Sequence, residues 1–234
     1  MSNWSEQTKK AVTFSYDDGT TQDIRLIELL NRYGLKATFN LNSGRLGKNG
    51  WLIRNNERIA HYKVWPEDVR ELYAGHEVAA HTLSHTNLTT LDESEIIRQV
   101  EQDRLRLSDL AGYEVVGMAY PCGGINNDKR VARIIREHTG VRYCRTITSS
   151  YSYDIQENLY QFNPTVSHLQ WDKMTELAER FIALEAEMPQ IFYIWGHSFE
   201  YDYDNSYWTR MEEFCKLISG RKDIFYGTNR EVLL

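Results

Sequence analysis

Along its whole length the chain alternates between short apolar segments typical of β-strands and segments whose apolar residues recur at helical spacing. The predicted strands cover residues 11–15, 37–41, 77–80, 115–119, 141–146, 162–166, 191–195 and 224–226. The predicted helices cover residues 23–33, 67–74, about 91–110, 128–138, 171–188 and 207–218. This alternation predicts one sheet of parallel strands covered by helices, and seven or eight strands are enough to close such a sheet into a barrel.

The length and the even composition indicate a single domain that spans residues 1–234, without internal repeats. Residues 43–66 have no clear helical period and carry three glycines. We therefore expect a long loop insertion there, with a small hairpin as an alternative. Three aromatic residues of this loop either form part of a substrate-binding wall or simply pack the loop onto the domain: Trp51, Tyr62 and Trp65.

The net charge of −6, without a basic run, argues against a nucleic acid or an anionic membrane as a partner. No stretch of about 18 apolar residues predicts a membrane-spanning helix, and the first residues lack the pattern of a secretory signal. Cys122, Cys144 and Cys215 are an odd number without a framework spacing, which is typical of free thiols in a reducing compartment. We therefore expect a cytoplasmic protein, and the sequence makes no prediction of its oligomeric state.

Pairs of polar residues follow two of the predicted strands. The first strand runs into Asp17 and Asp18, whose adjacent carboxylates repel each other unless a cation lies near them. His81 and His85 follow the strand at 77–80, and their spacing places both imidazoles on one face of a helical turn. Taken alone, an Asp-Asp pair is more often a solvated turn, and two histidines four apart are often coincidental. Because both pairs occur together at strand ends, they predict a hydrolytic metal site.

Two further polar residues follow predicted strands, Cys122 after residues 115–119 and His197 after residues 191–195. In parallel barrels the functional residues lie on loops beyond the carboxyl ends of the strands, so we expect both near the metal site. The other four histidines lack such a position and are expected to be surface or packing residues: His61, His76, His138 and His168. For His61, its place in the long loop leaves a functional alternative open.

Residues 15–20 and residues 81–85 resemble the first two sequence signatures of the polysaccharide deacetylases, the NodB-homology or carbohydrate esterase family 4 group. The resemblance extends over roughly residues 11–200. It implies a distorted (β/α)7 barrel that forms a single catalytic domain. It also implies metal-dependent removal of acyl groups from carbohydrate.

The same resemblance implies how the polar residues divide their roles. Asp18, His81 and His85 would hold one divalent metal ion, and Asp17 would stay off the metal as general base. A cation beside Asp17 keeps its carboxylate ionised and makes bound water acidic enough to be activated near neutral pH. Zn²⁺ suits two nitrogen ligands and one oxygen ligand best, and similar enzymes also accept Co²⁺, Ni²⁺ or Mn²⁺.

Later signatures of the family suggest the rest of the site. Cys122 stands where the third signature has a tyrosine, so its backbone N–H would stabilise the oxyanion, with Tyr120 beside it. His197 corresponds to the general-acid histidine of the fifth signature, and its pKa lies in a useful range. Trp195 replaces a leucine that commonly lines the pocket for the acetyl methyl group, and this change would narrow or reshape the pocket.

Two residues of the family pattern are missing. The third signature begins with an arginine that pairs with the general base, and Ala119 occupies that position here. From its position alone, Arg145 near the end of the fifth predicted strand is the replacement that we predict. The acid that orients the general-acid histidine has no clear counterpart, and Asp154 and Glu200 are both candidates.

These observations together predict a metal-dependent hydrolase that removes acetyl groups from N-acetylated or O-acetylated carbohydrate. The same chemistry would also open another small amide or a cyclic amide, so the substrate is an acylated carbohydrate or a small amide. A third alternative is a non-catalytic carbohydrate-binding barrel. The presence of Asp17, Asp18, His81, His85 and His197 argues against it.

Overall fold

The structure, a computed structural model, describes residues 4–234. Its strands are β1 (Lys10–Asp17), β2 (Ala37–Leu41), β3 (Trp51–Arg54), β4 (Glu57–Ala60), β5 (Glu77–Ala80), β6 (Gly117–Ala119), β7 (Tyr143–Arg145), β8 (Val166–Ser167), β9 (Gln190–His197) and β10 (Ile224–Tyr226). Its α-helices are α1 (Trp4–Gln7), α2 (Gln22–Arg32), α3 (Val69–Leu72), α4 (Glu93–Ala111), α5 (Lys129–His138), α6 (Trp171–Ala183), α7 (Tyr207–Ile218) and α8 (Asn229–Leu233).

Eight of the strands form one parallel sheet in the order β7-β6-β5-β2-β1-β9-β8, and β10 pairs with the start of β1. The sheet curls on itself. Phe162 forms a single parallel bridge with Arg145 of β7, and four residues later Val166 pairs with Ile194 of β9. One short segment therefore joins both edges of the sheet. This confirms the predicted distorted (β/α)7 barrel, in which the predicted strand at 162–166 is reduced to β8.

β1 is the central strand, and all eight of its residues are buried. Such complete burial is expected of a parallel strand that is covered on both faces. On its helix-facing side, Phe14 and Phe192 of β9 both contact the ring of Phe214 in α7, at centroid distances of 6.3 and 6.4 Å. The exit of β1, which carries the two aspartates, is therefore fixed by the core.

Two predicted helix ends were wrong. The cap of α4 is Asp92, whose side chain accepts a hydrogen bond from the Glu95 N–H, so the helix begins at Glu93 rather than at about residue 91. α6 ends at Ala183 rather than at residue 188. The buried Lys10 ammonium donates to the carbonyls of Phe181 and Ile182 at 3.2 and 2.9 Å, so a cation from β1 completes the last turn.

The predicted long loop contains a two-stranded antiparallel hairpin, β3–β4. We call the whole segment, residues 43–66, the hairpin insertion. Its base is attached to the exit of β1, because the Thr21 N–H donates to the Tyr62 carbonyl at 2.8 Å and the Val64 N–H donates to the Gly19 carbonyl at 3.0 Å. These bonds place the C-terminal end of the insertion beside the two aspartates. Such a position is not expected of a loop that only connects two strands.

All three cysteines are free in the structure. Within residues 4–234, no helix combines the length and the apolar character needed to cross a membrane.

Candidate active site

The carboxyl ends of the strands surround a cavity of about 500 Å³. Most of the predicted site residues line it: Asp17, Asp18, His81, His85, Tyr120, Cys122, Trp195 and His197. They are joined by Phe199 and by residues of the hairpin insertion, namely Arg45, Trp51, Leu52 and His61. Asp154 does not belong to this group. It is bonded to Gln190, the first residue of β9, whereas His197 is the last residue of the same strand, about 23 Å away at 3.3 Å per residue.

Asp18, His81 and His85 form a group whose possible ligand atoms all lie within 4.8 Å of one another. The Nδ1 of His81 is hydrogen-bonded to the Ala119 carbonyl at 2.8 Å, which leaves Nε2 with a free lone pair. The Oδ1 of Asp18 is buried without a hydrogen bond and lies 3.4 Å from Nε2 of His85. One carboxylate oxygen and two imidazole nitrogens therefore converge as a divalent metal ion requires.

The backbone is strained where these residues lie. Asp18, Thr82, His85 and Cys122 all have positive φ, at 83°, 66°, 62° and 70°. Left-handed conformations of residues other than glycine are costly and cluster at functional sites. At Asp18 the strain is compensated by two hydrogen bonds, one from its own N–H to the Asn40 carbonyl and one from the Lys63 ammonium to its carbonyl at 2.7 Å.

The protonation states suit metal binding. Burial lowers the pKa of His81 to about 4 and also lowers the pKa of His85, so both imidazoles are neutral near pH 7. Burial by itself would raise the pKa of Asp18. The hydrogen bond from His61 and the charge of Lys63 outweigh it and hold that pKa well below the ordinary value. The three groups are thus present in the forms that coordinate a metal.

Arg145 takes the place of the arginine that the sequence pattern lacks. The register of the sheet pairs Ala119 of β6 with Arg145 of β7, so the guanidinium reaches the site from the neighbouring strand. It bonds both carboxylate oxygens of Asp17, at 2.6 Å for Oδ1, and Asn40 donates a further hydrogen bond to Oδ1 at 2.8 Å. Arg145 is fully buried, and its guanidinium lies 4.6 Å from the centroid of the Trp195 ring.

His197 faces this pair from the end of β9 and contacts Glu200. Nδ1 of His197 lies 3.1 Å from Oε2 of Glu200, and the His197 N–H donates to the same oxygen at 3.0 Å. Burial opposes the charge of His197, but Glu200 outweighs it and raises the pKa to about 9. Of the two predicted orienting acids, Glu200 on the 3-10 helix Ser198–Tyr203 is therefore the one that contacts His197.

The turn after β6 is held by Asn126, which is fully buried and donates to the carbonyls of Tyr120, Pro121 and Cys122. Within residues 4–234, no group accepts a hydrogen bond from the Cys122 N–H. That donor is thus available to a ligand. Burial raises the pKa of the Cys122 thiol, which keeps it protonated. The Tyr120 hydroxyl donates to the Tyr160 carbonyl at 2.8 Å, so it is already engaged.

Several residues at the site were not predicted as site residues, and two of them contact the proposed metal ligands. His61, expected mainly as a surface or packing residue, places Nε2 3.1 Å from Oδ2 of Asp18. Asp103, in the middle of α4, accepts a hydrogen bond from the His81 N–H at 3.0 Å and one from the Ser43 N–H at 2.7 Å. No local signal marks either residue, since one lies in a loop and the other on a helix face.

Of the three aromatic residues of the insertion, Trp51 lies at the cavity and Tyr62 contacts Trp51. Trp51 lines the cavity and is 47% exposed, and Tyr62 contacts the Trp51 ring edge-on at 5.0 Å. Trp65 packs against Gly47 and lines a different depression with Ile24 and Leu72. Of the three rings, therefore, Trp51 is exposed at the cavity, Tyr62 supports Trp51, and Trp65 packs elsewhere on the domain.

Comparison with known proteins identifies the family of the chain. A model of the polysaccharide deacetylase family matches residues 5–143, more than half of the chain, which include Asp17, Asp18, His81 and His85. A peptidoglycan-N-acetylglucosamine deacetylase, PgdA, of Listeria monocytogenes is 28% identical over 131 residues, which are 55% of this chain and 24% of that protein. The chain thus spans about a quarter of the length of this curated relative.

Solved structures of the same family share the fold. A family 4 carbohydrate esterase from Streptomyces lividans, in complex with acetate, aligns with a TM-score of 0.56 at 14% identity, over 94% of this chain and 93% of that one. A family 4 pseudoenzyme from Bacillus anthracis aligns with a TM-score of 0.53 at 19% identity, over 97% of this chain and 66% of that one. From the family match and the shared fold, the chain belongs to the polysaccharide deacetylase family.

Proposed function

We propose that this chain is a metal-dependent hydrolase that removes acetyl groups from N-acetylated or O-acetylated carbohydrate. The observation that carries the proposal is the convergence of Asp18, His81 and His85 in one cavity, next to an Asp17 carboxylate held by Arg145. The orphaned Oδ1 of Asp18 and the two neutral imidazoles fit a bound divalent ion. When bound, such an ion supplies Lewis-acid chemistry that polarises an acyl carbonyl and lowers the pKa of water.

The residues of the chain would supply the proton transfers. Oδ2 of Asp17 lies 3.9 Å from Nε2 of His81, so the carboxylate is next to the proposed ligand set. Both of its oxygens are bonded to Arg145, which supports a role for Asp17 off the metal. Its bonds to Arg145 and Asn40 fix its orientation, as a general base requires. His197 would protonate the leaving group, and the unbonded Cys122 N–H would donate to the oxyanion.

The substrate class is supported by the relatives and by the shape of the cavity. The relative PgdA is named for action on N-acetylglucosamine of peptidoglycan. The half-exposed Trp51 at the rim offers a flat face for a sugar ring. A donor set of two nitrogens and one oxygen suits Zn²⁺ best and also accepts Co²⁺, Ni²⁺ or Mn²⁺.

Two measurements test this function. Elemental analysis determines the bound metal, and acetate release from acetylated glucosamine oligomers is then followed with and without a chelator. We expect about one divalent ion per chain and chelator-sensitive release. Bound metal without release from any acylated carbohydrate would point to hydrolysis of a different amide. Release from neither class of substrate would place the chain with non-catalytic members of the family such as the Bacillus anthracis pseudoenzyme.

Two variants test the division of roles. Asp17→Asn should keep the metal and lose about 100- to 10,000-fold in rate, as expected for a general base. His81→Ala should lose both metal and activity. If both variants lost metal equally, Asp17 would be a ligand and the proposed roles would be wrong.

A further inference from the structure

The proposed roles leave one buried cluster in contact with Glu200 unexplained. His168, immediately after β8, is fully buried, as a packing residue and not a surface residue would be. Its Nε2 lies 2.7 Å from Oε2 of Glu200, and its Nδ1 lies 2.7 Å from the Tyr201 hydroxyl. The Tyr201 hydroxyl in turn lies 2.6 Å from the Tyr16 hydroxyl of β1. A chain of polar groups thus extends from Glu200 into the apolar core.

When Glu200 is ionised and His168 is neutral, one assignment of protons satisfies every member of this chain. The carboxylate accepts from Nε2–H of His168, so a neutral His168 must accept at Nδ1 from the Tyr201 hydroxyl. The Tyr201 oxygen then accepts from the Tyr16 hydroxyl. Burial raises the pKa of both tyrosines, so both hydroxyls keep their protons. The cluster therefore contains one negative charge, on the residue that contacts His197.

The packing around His168 also supports a fixed position for its imidazole ring. A Cβ atom on Gly196 would overlap the imidazole of His168, so the ring lies directly against the strand that presents His197. Trp171 of α6 also stacks on the ring, at a centroid distance of 6.1 Å and an interplanar angle of 19°. The ring therefore packs against both the strand and the helix, and its Nε2 lies 2.7 Å from one oxygen of Glu200.

We propose that His168 is a positioning residue for the general acid: through its bonds to Glu200 and Tyr201 it fixes the carboxylate that orients His197. This inference rests on the proposed function of His197. The inference goes beyond Glu200, which was already a candidate orienting acid. It adds to the site His168 at the exit of β8 and the hydroxyls of Tyr201 and Tyr16. Without His168, Glu200 would lose one of its donors and its fixed orientation.

The charged groups that face His197 are Glu200 on the following 3-10 helix and Asp17 and Asp18 at the exit of β1. Removal of His168 leaves these three charges in place, takes one hydrogen-bond donor from Glu200 and takes one acceptor from the Tyr201 hydroxyl. In His168→Leu we therefore expect the alkaline limb of kcat/KM to move to lower pH and kcat to fall at least tenfold. The fall should be smaller than that of His197→Gln, which removes the acid itself.

The test compares three variants of the zinc-loaded protein. His168→Gln keeps an N–H close to the position of Nε2 and should restore most of kcat and of the pH profile. Gly196→Ala pushes the ring away from the strand and should reproduce the effect of His168→Leu. His76→Leu is the matched control, because His76 is a buried, hydrogen-bonded histidine outside the cavity, and it should leave the pH profile unchanged.

Titration of His197 by NMR in histidine-labelled protein tests the inference without any substrate. The pKa of His197 should be lower in His168→Leu than in the wild type and should recover in His168→Gln. If it is the same in all variants, the proposal is overturned, even where the chain proves to be an active deacetylase. If the pKa shifts as expected while no acetate is released, the positioning is confirmed and the proposed substrate is wrong.

Discussion

At the scale of single residues, the pair of Asp17 and Arg145 is the most sensitive point of the site. Both side chains are buried, with exposed fractions of 2% and 0%. Removal of one partner leaves an unpaired charge inside the protein, which typically costs about 3–5 kcal/mol. Both stability and catalysis therefore depend on this one contact.

We predict that Arg145→Met lowers the free energy of unfolding by about 3–5 kcal/mol, because Asp17 is left without its cation. The measurement is urea denaturation with a chelator present, so that metal binding does not contribute. Asp17→Asn combined with Arg145→Met should recover much of the loss, since no charge is then buried alone. Strictly additive effects of the two substitutions would show that the contact does not stabilise the fold.

A second prediction concerns the hydrogen bond between His61 and Oδ2 of Asp18. Groups that orient a metal ligand typically contribute about 10- to 100-fold to metal affinity, so His61→Ala should weaken zinc binding by about that factor. Competition with a chromogenic chelator measures the affinity. His138→Ala is the control, because that side chain is 46% exposed on the surface. An unchanged affinity would show that Asp18 is positioned without His61.

At the scale of secondary-structure elements, the hairpin insertion is the part that separates this chain from a simple barrel. Its exposed ring, Trp51, has an Arg58 guanidinium 4.2 Å from its centroid and Tyr62 at its edge, so it is supported in place. His61 and Lys63 follow the hairpin directly and contact Asp18. The insertion thus links the rim of the cavity to Asp18, a proposed metal ligand.

We predict that Trp51→Ala raises KM for an acetylated oligomer about two- to tenfold, which corresponds to the loss of about 0.5–1.5 kcal/mol of ring contact. kcat should change little, because the ring lies at the rim. Trp65→Ala is the matched control, since Trp65 is also exposed but lines another depression. Equal effects of the two substitutions would argue for a structural role of both rings.

At the scale of the whole molecule, the charge of His197 depends on Glu200, three residues later, and on Asp17 and Asp18 from the start of the chain. Glu200 raises the pKa of His197 to about 9, above the ordinary value of 6.5. A general acid must carry its proton, so this group is active below its folded pKa and loses activity as the pH rises through it. The same interaction stabilises the fold fully below pH 6.5 and is lost as the pH rises toward 9.

We therefore predict that kcat/KM has its alkaline limb near pH 9 rather than near pH 6.5. A profile of kcat/KM between pH 5 and pH 10.5 with an acetylated glucosamine oligomer is the measurement. A limb near pH 6.5 in the wild type would mean that Glu200 does not hold the proton on His197. A profile without an alkaline limb would exclude His197 as the acid.

The sequence by itself determined the succession of strands and helices and the polar residues at the strand exits. Apolar periodicity is a local property, and parallel strands place all their carboxyl ends on one side of the sheet, so Asp17, Asp18, His81 and His197 could be placed without coordinates. Arg145 was found in the same way, because it is at the end of a strand. Its position next to Ala119, however, depends on the register between β6 and β7.

Only the tertiary structure decided which partners complete the site. His61 reaches Asp18 because the hairpin insertion bonds to the exit of β1. His168 reaches Glu200 because β8 pairs with Ile194 and Trp195 near the end of β9. Asp154 lies at the wrong end of the barrel for the same reason, since its loop pairs with the start of β9. Contacts between residues far apart in sequence depend on loop paths and strand register, and neither leaves a periodic signal in the chain.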